Sequence, residues 1–187
     1  MFIPMRALVE QHPLWHVCGI GLFVVFAAIQ RRARTSGILA LALWNLTGVI
    51  LHELAHLLVG LLFRARPAGV SLMPRRVGNY WRLGSVSFAR ITAVNAVPVA
   101  LAPLGLFVLA HWVARNWFRW NTPSLPSTLI FYVTEYVLLY NSLPSRQDLR
   151  VAFNWKSIAL YSLLATVAGY CAGPLFRFLG LCHHLRQ

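Results

Sequence analysis

The sequence predicts an all-α integral membrane protein, with about five transmembrane helices and one short β-hairpin at the membrane surface between the second and third. Three observations carry this prediction. Hydrophobic residues make up 58% of the 187-residue chain and charged residues 11%, about half the charged share of an ordinary soluble domain. Several apolar runs reach bilayer-spanning length. The arginines collect where those runs stop: Arg31, Arg32 and Arg34; Arg64 and Arg66; Arg115 and Arg119; Arg146 and Arg150. No Gly/Ser linker, low-complexity segment or internal repeat divides the chain, so residues 1–187 read as a single membrane domain.

The first expected span covers about 14–30 and is stopped by the arginine cluster at 31–34. Its weakly basic start and the lack of a small-residue cleavage site make it an anchor and not a signal peptide. The second covers about 37–63. In the segment that follows, 70–90, Val70 and Leu72 alternate with small residues, as do Val86 and Phe88, with Pro74, Gly78 and Asn79 between them. That pattern predicts a short β-hairpin or small sheet. The third span, about 91–114, contains Pro98 and Pro103, which predict a kink. The fourth covers about 127–141 and the fifth about 157–179.

The net charge of +13 raises the question of nucleic acid. Basic groups at the ends of apolar runs suit lipid headgroups, and there is no soluble basic domain to hold a duplex. The lipid bilayer is the expected partner, and nucleic acid is not. Cys18, Cys171 and Cys182 are odd in number and lack metal-ligand spacing, so they read as reduced structural thiols.

One stretch stands apart. In NLTGVILHELAHLLVGLLF, residues 45–63, three ionisable groups sit inside an apolar run: His52, Glu53 and His56. Such groups are costly in a spanning helix unless paired, which marks them as functional; a metal-free hydrogen-bond cluster is the plainer alternative. The HExxH spacing places both imidazoles on nearly one helix face, where they can share one Zn²⁺ beside a glutamate able to act as general base.

Two histidines need a third ligand, and Glu10, Glu53, Glu135 and Asp148 are the whole acidic supply. Glu53 is needed as base and Glu10 precedes the first span, which leaves Glu135 and Asp148. The fourth span decides between them. Its 15 residues from Ser127 to Asn141 make roughly 22 Å of helix, against a hydrocarbon core of about 30 Å. The helix is expected to stop at membrane depth and continue as irregular chain, NSLPSRQD, which lets Asp148 fold back to the depth of His56. Glu135 is expected to hydrogen-bond to a hydroxyl or an arginine.

HELAH in a spanning helix, followed by a surface hairpin, a Pro-containing helix and an Asn-x-x-Pro…Asp element, resembles the site-2 protease family of intramembrane zinc metalloproteases. The resemblance covers about 37–150 and leaves the helices at about 14–30 and 157–179 outside the shared core. It implies that His52, His56 and Asp148 are zinc ligands, that Glu53 is the catalytic glutamate, and that Asn141 contacts substrate or oxyanion near the metal. It further implies a transmembrane protein or peptide as substrate, hydrolysed at a peptide bond within the membrane. Leu149 follows Asp148 where the family pattern has glycine, and the spacing from Asn141 to Asp148 is one residue shorter than usual. The competing classes are a catalytically inactive relative and a non-hydrolytic metal-binding membrane protein.

With the N-terminus inside, ten basic residues fall on the cytoplasmic side and seven on the other. The expected location is thus a bacterial-type cytoplasmic membrane, multi-pass, with the active site opening to the cytoplasm, as in the resembled family. Asn95 with Pro98 is read as kink satisfaction and packing. His12, His16 and His111 are expected to meet headgroups, and His183 and His184 to be solvated.

Overall fold

The computed structural model describes residues 9–36, 38–72, 74–77 and 80–184. The chain is mostly helical. Helices α1 (Pro13–Ser36) and α2 (Ile38–Leu62) are followed by four short strands, β1 (Pro67–Ser71), β2 (Arg75–Val77), β3 (Tyr80–Arg82) and β4 (Ser85–Phe88). Helices α3 (Ala93–Ala100), α4 (Leu104–Trp120), α5 (Leu125–Asn141), α6 (Arg146–Ala152) and α7 (Trp155–His184) complete it.

Among the described residues two helical stretches, Pro13–Arg32 and Asn45–Leu62, are long and apolar enough to cross a membrane. The count rises to four if two bent pairs are each one span: α3 with α4, bent by 42°, and α6 with Trp155–Tyr170 of α7, bent by 60°. This differs from the expected five. The fourth expected span is α5, and its 17 residues give about 25 Å of helix, still short of a full crossing. The third is broken, as its prolines predicted. Pro98 lies inside α3, and Pro103 lies between α3 and α4.

The expected hairpin is present as two antiparallel ladders in one excursion. At its base β1 pairs with β4, with Val70 opposite Val86 and an irregularity between Pro67 and Gly69. Further out β2 pairs with β3, with Arg76 opposite Trp81. Gly78 and Asn79, expected at the turn, lie outside the described residues. Arg64 and Arg66, both at φ 54°, turn the chain sharply from α2 into β1. The amide of Ala65 closes the helix by donating to the Gly60 carbonyl at 2.8 Å. This tight reversal folds the strands back over α2.

Small residues and polar bonds hold the bundle together, with little apolar bulk at its centre. Leu106, Ala110 and Leu138 form a small core with Leu51, Val113 and Leu139 against it. Large apolar side chains face outward instead: Val108 is 67% exposed and Leu163 62%. Without a water-driven core, close approach and interhelical hydrogen bonds must supply the packing. Helix α1 packs along α5 and α2. A Cβ at Gly19 would overlap the Tyr132 ring, and one at Gly48 would overlap the Asn141 side chain. His16, expected among headgroups, is instead buried, with its Nδ1 3.2 Å from the Tyr132 hydroxyl. It lies only about one turn inside α1, yet that helix begins at Pro13, early enough to bring His16 against α5.

Candidate metal centre

The site forms where α2, α5 and α6 meet the break between α3 and α4. His52 and His56, four residues apart on α2, present Nε2 atoms 3.3 Å from each other. Asp148 faces both: Oδ2 lies 3.5 Å from His52 Nε2 and Oδ1 lies 3.4 Å from His56 Nε2. Among the described residues these three form a group that could hold a metal ion.

Each imidazole is fixed from behind by a helix-end carbonyl. His52 Nδ1 donates to the Asn141 carbonyl at 2.9 Å, and His56 Nδ1 donates to the Val99 carbonyl at 2.8 Å. Both carbonyls are available for a reason written in the sequence. In an unbroken helix the Val99 oxygen would take the N–H of residue 103, but that residue is proline and has none. Asn141 is the last residue of α5, and Pro144 opposes any continuation of the helix. With both Nδ1–H groups so used, both Nε2 atoms carry lone pairs toward Asp148.

Three lone-pair donors facing one point need a positive charge between them. A shared proton would draw a pair to about 2.7–2.9 Å. The observed separations of 3.3–3.5 Å are longer than that, with each carboxylate oxygen facing one imidazole, and one ligand atom from each of the three residues lies within 4.8 Å of the others, close enough to share an ion. The donor set fits a metal ion.

Asp148 reaches the site in a way the sequence did not suggest. It is the third residue of α6, not part of an irregular turn. Ser145 caps that helix: the Asp148 N–H donates to Ser145 Oγ at 3.2 Å, and the Ser145 N–H donates to Asp148 Oδ2 at 2.6 Å. A carboxylate aimed back by a capping box needs no glycine after it, so Leu149 simply continues the helix.

Glu53 sits beside the histidines under β4. Its carboxylate accepts a hydrogen bond from the Val86 backbone N–H. The close passage depends on Gly84, where a Cβ would come within 2.6 Å of Val49 Cγ1 and 2.9 Å of Glu53 Cγ. Residues of β4 and the adjoining turn line the site's cavity of about 1150 Å³, together with His52, Glu53, His56, Asn141 and Asp148.

The structure therefore gathers His52, Glu53, His56, Asn141 and Asp148 in one place. Asn141 meets His52 through its backbone, while its side-chain Nδ2 donates to Val137 within its own helix at 2.8 Å. Glu135 is elsewhere. It is buried, and its Oε1 has no hydrogen-bond partner among the described residues, so the expected hydroxyl or arginine partner is not found on that atom. Asn95 is a capping residue: its Oδ1 accepts from the Thr92 N–H at 2.7 Å, and its Nδ2 donates to Arg90 at 3.0 Å. Cys18 is an exposed free thiol and His12 stacks on Trp15, while the side chains of Cys171, Cys182, His183 and His184 lie outside the described residues. The supporting roles of Val99 and Gly84 escaped the sequence reading. Pro103, four residues beyond Val99, was the available signal for the first.

No family model, no curated protein and no solved structure matches the chain.

Two outcomes are expected. Asp148→Ala lowers metal content in purified protein while Glu135→Gln leaves it intact, measured by elemental analysis; full occupancy in the first with loss in the second reverses the assignment. Pro103→Ala restores an N–H that competes for the Val99 carbonyl, and it weakens metal affinity by about 10-fold or more, as measured by chelator competition. Unchanged affinity would show that the Val99 carbonyl does not position His56.

Proposed function

We propose that the protein is an intramembrane zinc metalloprotease of the site-2 protease type, hydrolysing peptide bonds of membrane-embedded substrates. The observation that carries this reading is the combination of a His₂Asp donor set and a glutamate beside it, all on helices of an apolar bundle. Zinc suits two imidazoles and a carboxylate, and when bound it supplies Lewis acidity toward a carbonyl or a water.

The chain's own residues account for the rest. Glu53 accepts a proton from the attacking water and passes it to the leaving amine nitrogen as the C–N bond breaks, giving a carboxylic acid and an amine. The Val86 N–H holds the Glu53 carboxylate in place. Among the described residues β4 pairs with β1 alone, so apart from the Val86 N–H that faces Glu53 its other edge is free to take a substrate strand. Adding a strand there would hold an unwound segment extended, with its peptide bonds exposed. A transmembrane helix hides those bonds, so unwinding must precede cleavage.

The glutamate favours hydrolysis over a purely metal-binding role, because it is placed to move protons and stands outside the group of three ligands. In this reading the site opens toward the cytoplasm and β1–β4 lie on that side.

Glu53→Gln is expected to abolish cleavage of a transmembrane reporter while metal content stays unchanged, since the amide cannot act as base. Near wild-type cleavage by that variant would sink the mechanism. For sidedness, Asn79→Cys in a background without other cysteines is expected to react with an impermeant thiol reagent from the cytoplasmic face; labelling from outside alone would invert the topology.

A further inference from the structure

A second polar group lies in the same cavity, away from the metal ligands. Asn45 precedes His52 by seven residues on α2, which is about two turns or 10 Å along the same helix face. Gln30 of α1 donates from Nε2 to Asn45 Oδ1 at 2.9 Å and to the Tyr140 hydroxyl at 2.9 Å. All three side chains line the cavity that holds His52 and Glu53. Gln30 is 5% exposed, and its Oε1 has no hydrogen-bond partner among the described residues.

A bundle of apolar helices gains nothing by burying a carboxamide with one end left over, since an unmade buried hydrogen bond carries its full desolvation cost. Turning the amide over does not remove the difficulty. Oε1 would then face the Tyr140 hydroxyl and, with the Asn45 amide turned as well, its Nδ2, and Nε2 of Gln30 would become the end left over. Either way one end of the Gln30 amide is left over, buried in the wall of the cavity, while its partner Asn45 lies about 10 Å along α2 from His52.

We propose that Gln30, Asn45 and Tyr140 form a recognition subsite for a carboxamide side chain, an asparagine or glutamine within an otherwise apolar substrate segment. A carboxamide has both a donor and an acceptor, so it complements the Gln30 amide in either orientation. This deepens the proteolytic reading and rests on it. In an extended substrate 10 Å corresponds to about three residues at roughly 3.3 Å each. The recognised residue therefore lies about three positions from the bond that is cut. It also explains how an enzyme acting on apolar segments selects one bond among many similar ones. Leucine in that position leaves the amide end unpaired, and a site built for a hydrogen bond rejects such an analogue.

The test uses the full chain with zinc in detergent or vesicles, and a panel of transmembrane peptides. In each peptide a single asparagine replaces leucine at one position, from four before to four after the cut. The cut site is read by mass spectrometry and kcat/KM by product formation. Binding of the same peptides to Glu53→Gln protein, with and without Gln30→Met, is read by fluorescence. We expect asparagine about three residues from the cut to raise kcat/KM by about tenfold over leucine, and to tighten binding to a similar degree. Gln30→Met brings both ratios close to one. Tyr140→Phe keeps the ring stacked on Tyr136 but removes a Gln30 partner, and it gives an intermediate ratio. A flat asparagine scan, or a preference that survives Gln30→Met, overturns the subsite. If wild type cleaves no peptide, the proteolytic reading fails by itself; equal binding of asparagine and leucine peptides then overturns the subsite too, and tighter asparagine binding sustains it as a ligand site.

Discussion

The candidate metal centre depends on two backbone carbonyls at helix breaks, each with a lone pair to spare for an imidazole. Val99 lies one residue from the end of α3 and Asn141 ends α5, each beside a proline-enforced break, and each accepts the Nδ1–H of one histidine. The Asn141 carbonyl gains in His52 a partner that its own helix does not supply, and the Val99 carbonyl, which also accepts the Ala102 N–H at 3.3 Å, gives its second lone pair to His56. The pairing also fixes the tautomers. With Nδ1 protonated and engaged, Nε2 is the free donor on both rings, and the pair is preorganised for a cation before one arrives.

The same logic delivers the carboxylate. A flexible acidic side chain would lose rotamer entropy on joining two histidines, but Asp148 is already held by the Ser145 N–H. The capping box thus has two functions: it starts α6 and it aims a ligand. Bringing α5 close enough for this to work requires Gly48, where the Asn141 side chain occupies the space a Cβ would need. Gly84 plays the matching part on the opposite wall, letting β4 pass against Glu53. In a bundle with so few large buried apolar side chains, these glycine contacts and the buried hydrogen bonds set the helix positions.

Polar groups inside the bundle fall into two sets. Some are locally satisfied, as in the capping by Asn95 and the Asn154–Ser157 contact that leads into α7. Others converge on the cavity: the metal group at one end, Gln30 with Asn45 and Tyr140 at the other. The first set can be understood from chain neighbours. The second is long-range and concentrates on the cavity beside His52 and Glu53.

The sequence by itself determined the helical class, the break in the third apolar run, the strand excursion after α2 and the pairing of His52 with His56 around Glu53. Each depends on local rules: hydropathy over about 20 residues, the missing proline N–H, alternation in strands and the four-residue helix repeat. It also singled out Asp148 over Glu135, because a helix as short as α5 must end where the chain can turn back. Tertiary structure alone decided the rest. Which carbonyls hold the imidazoles, how Asp148 is presented from a capped helix, why His16 is buried, and why Gln30 faces Asn45 and Tyr140 all depend on how α1, α3 and α5 pack on α2. No local pattern encodes those contacts, because each joins residues distant in sequence through an atom, often of the backbone, whose availability depends on where a helix stops.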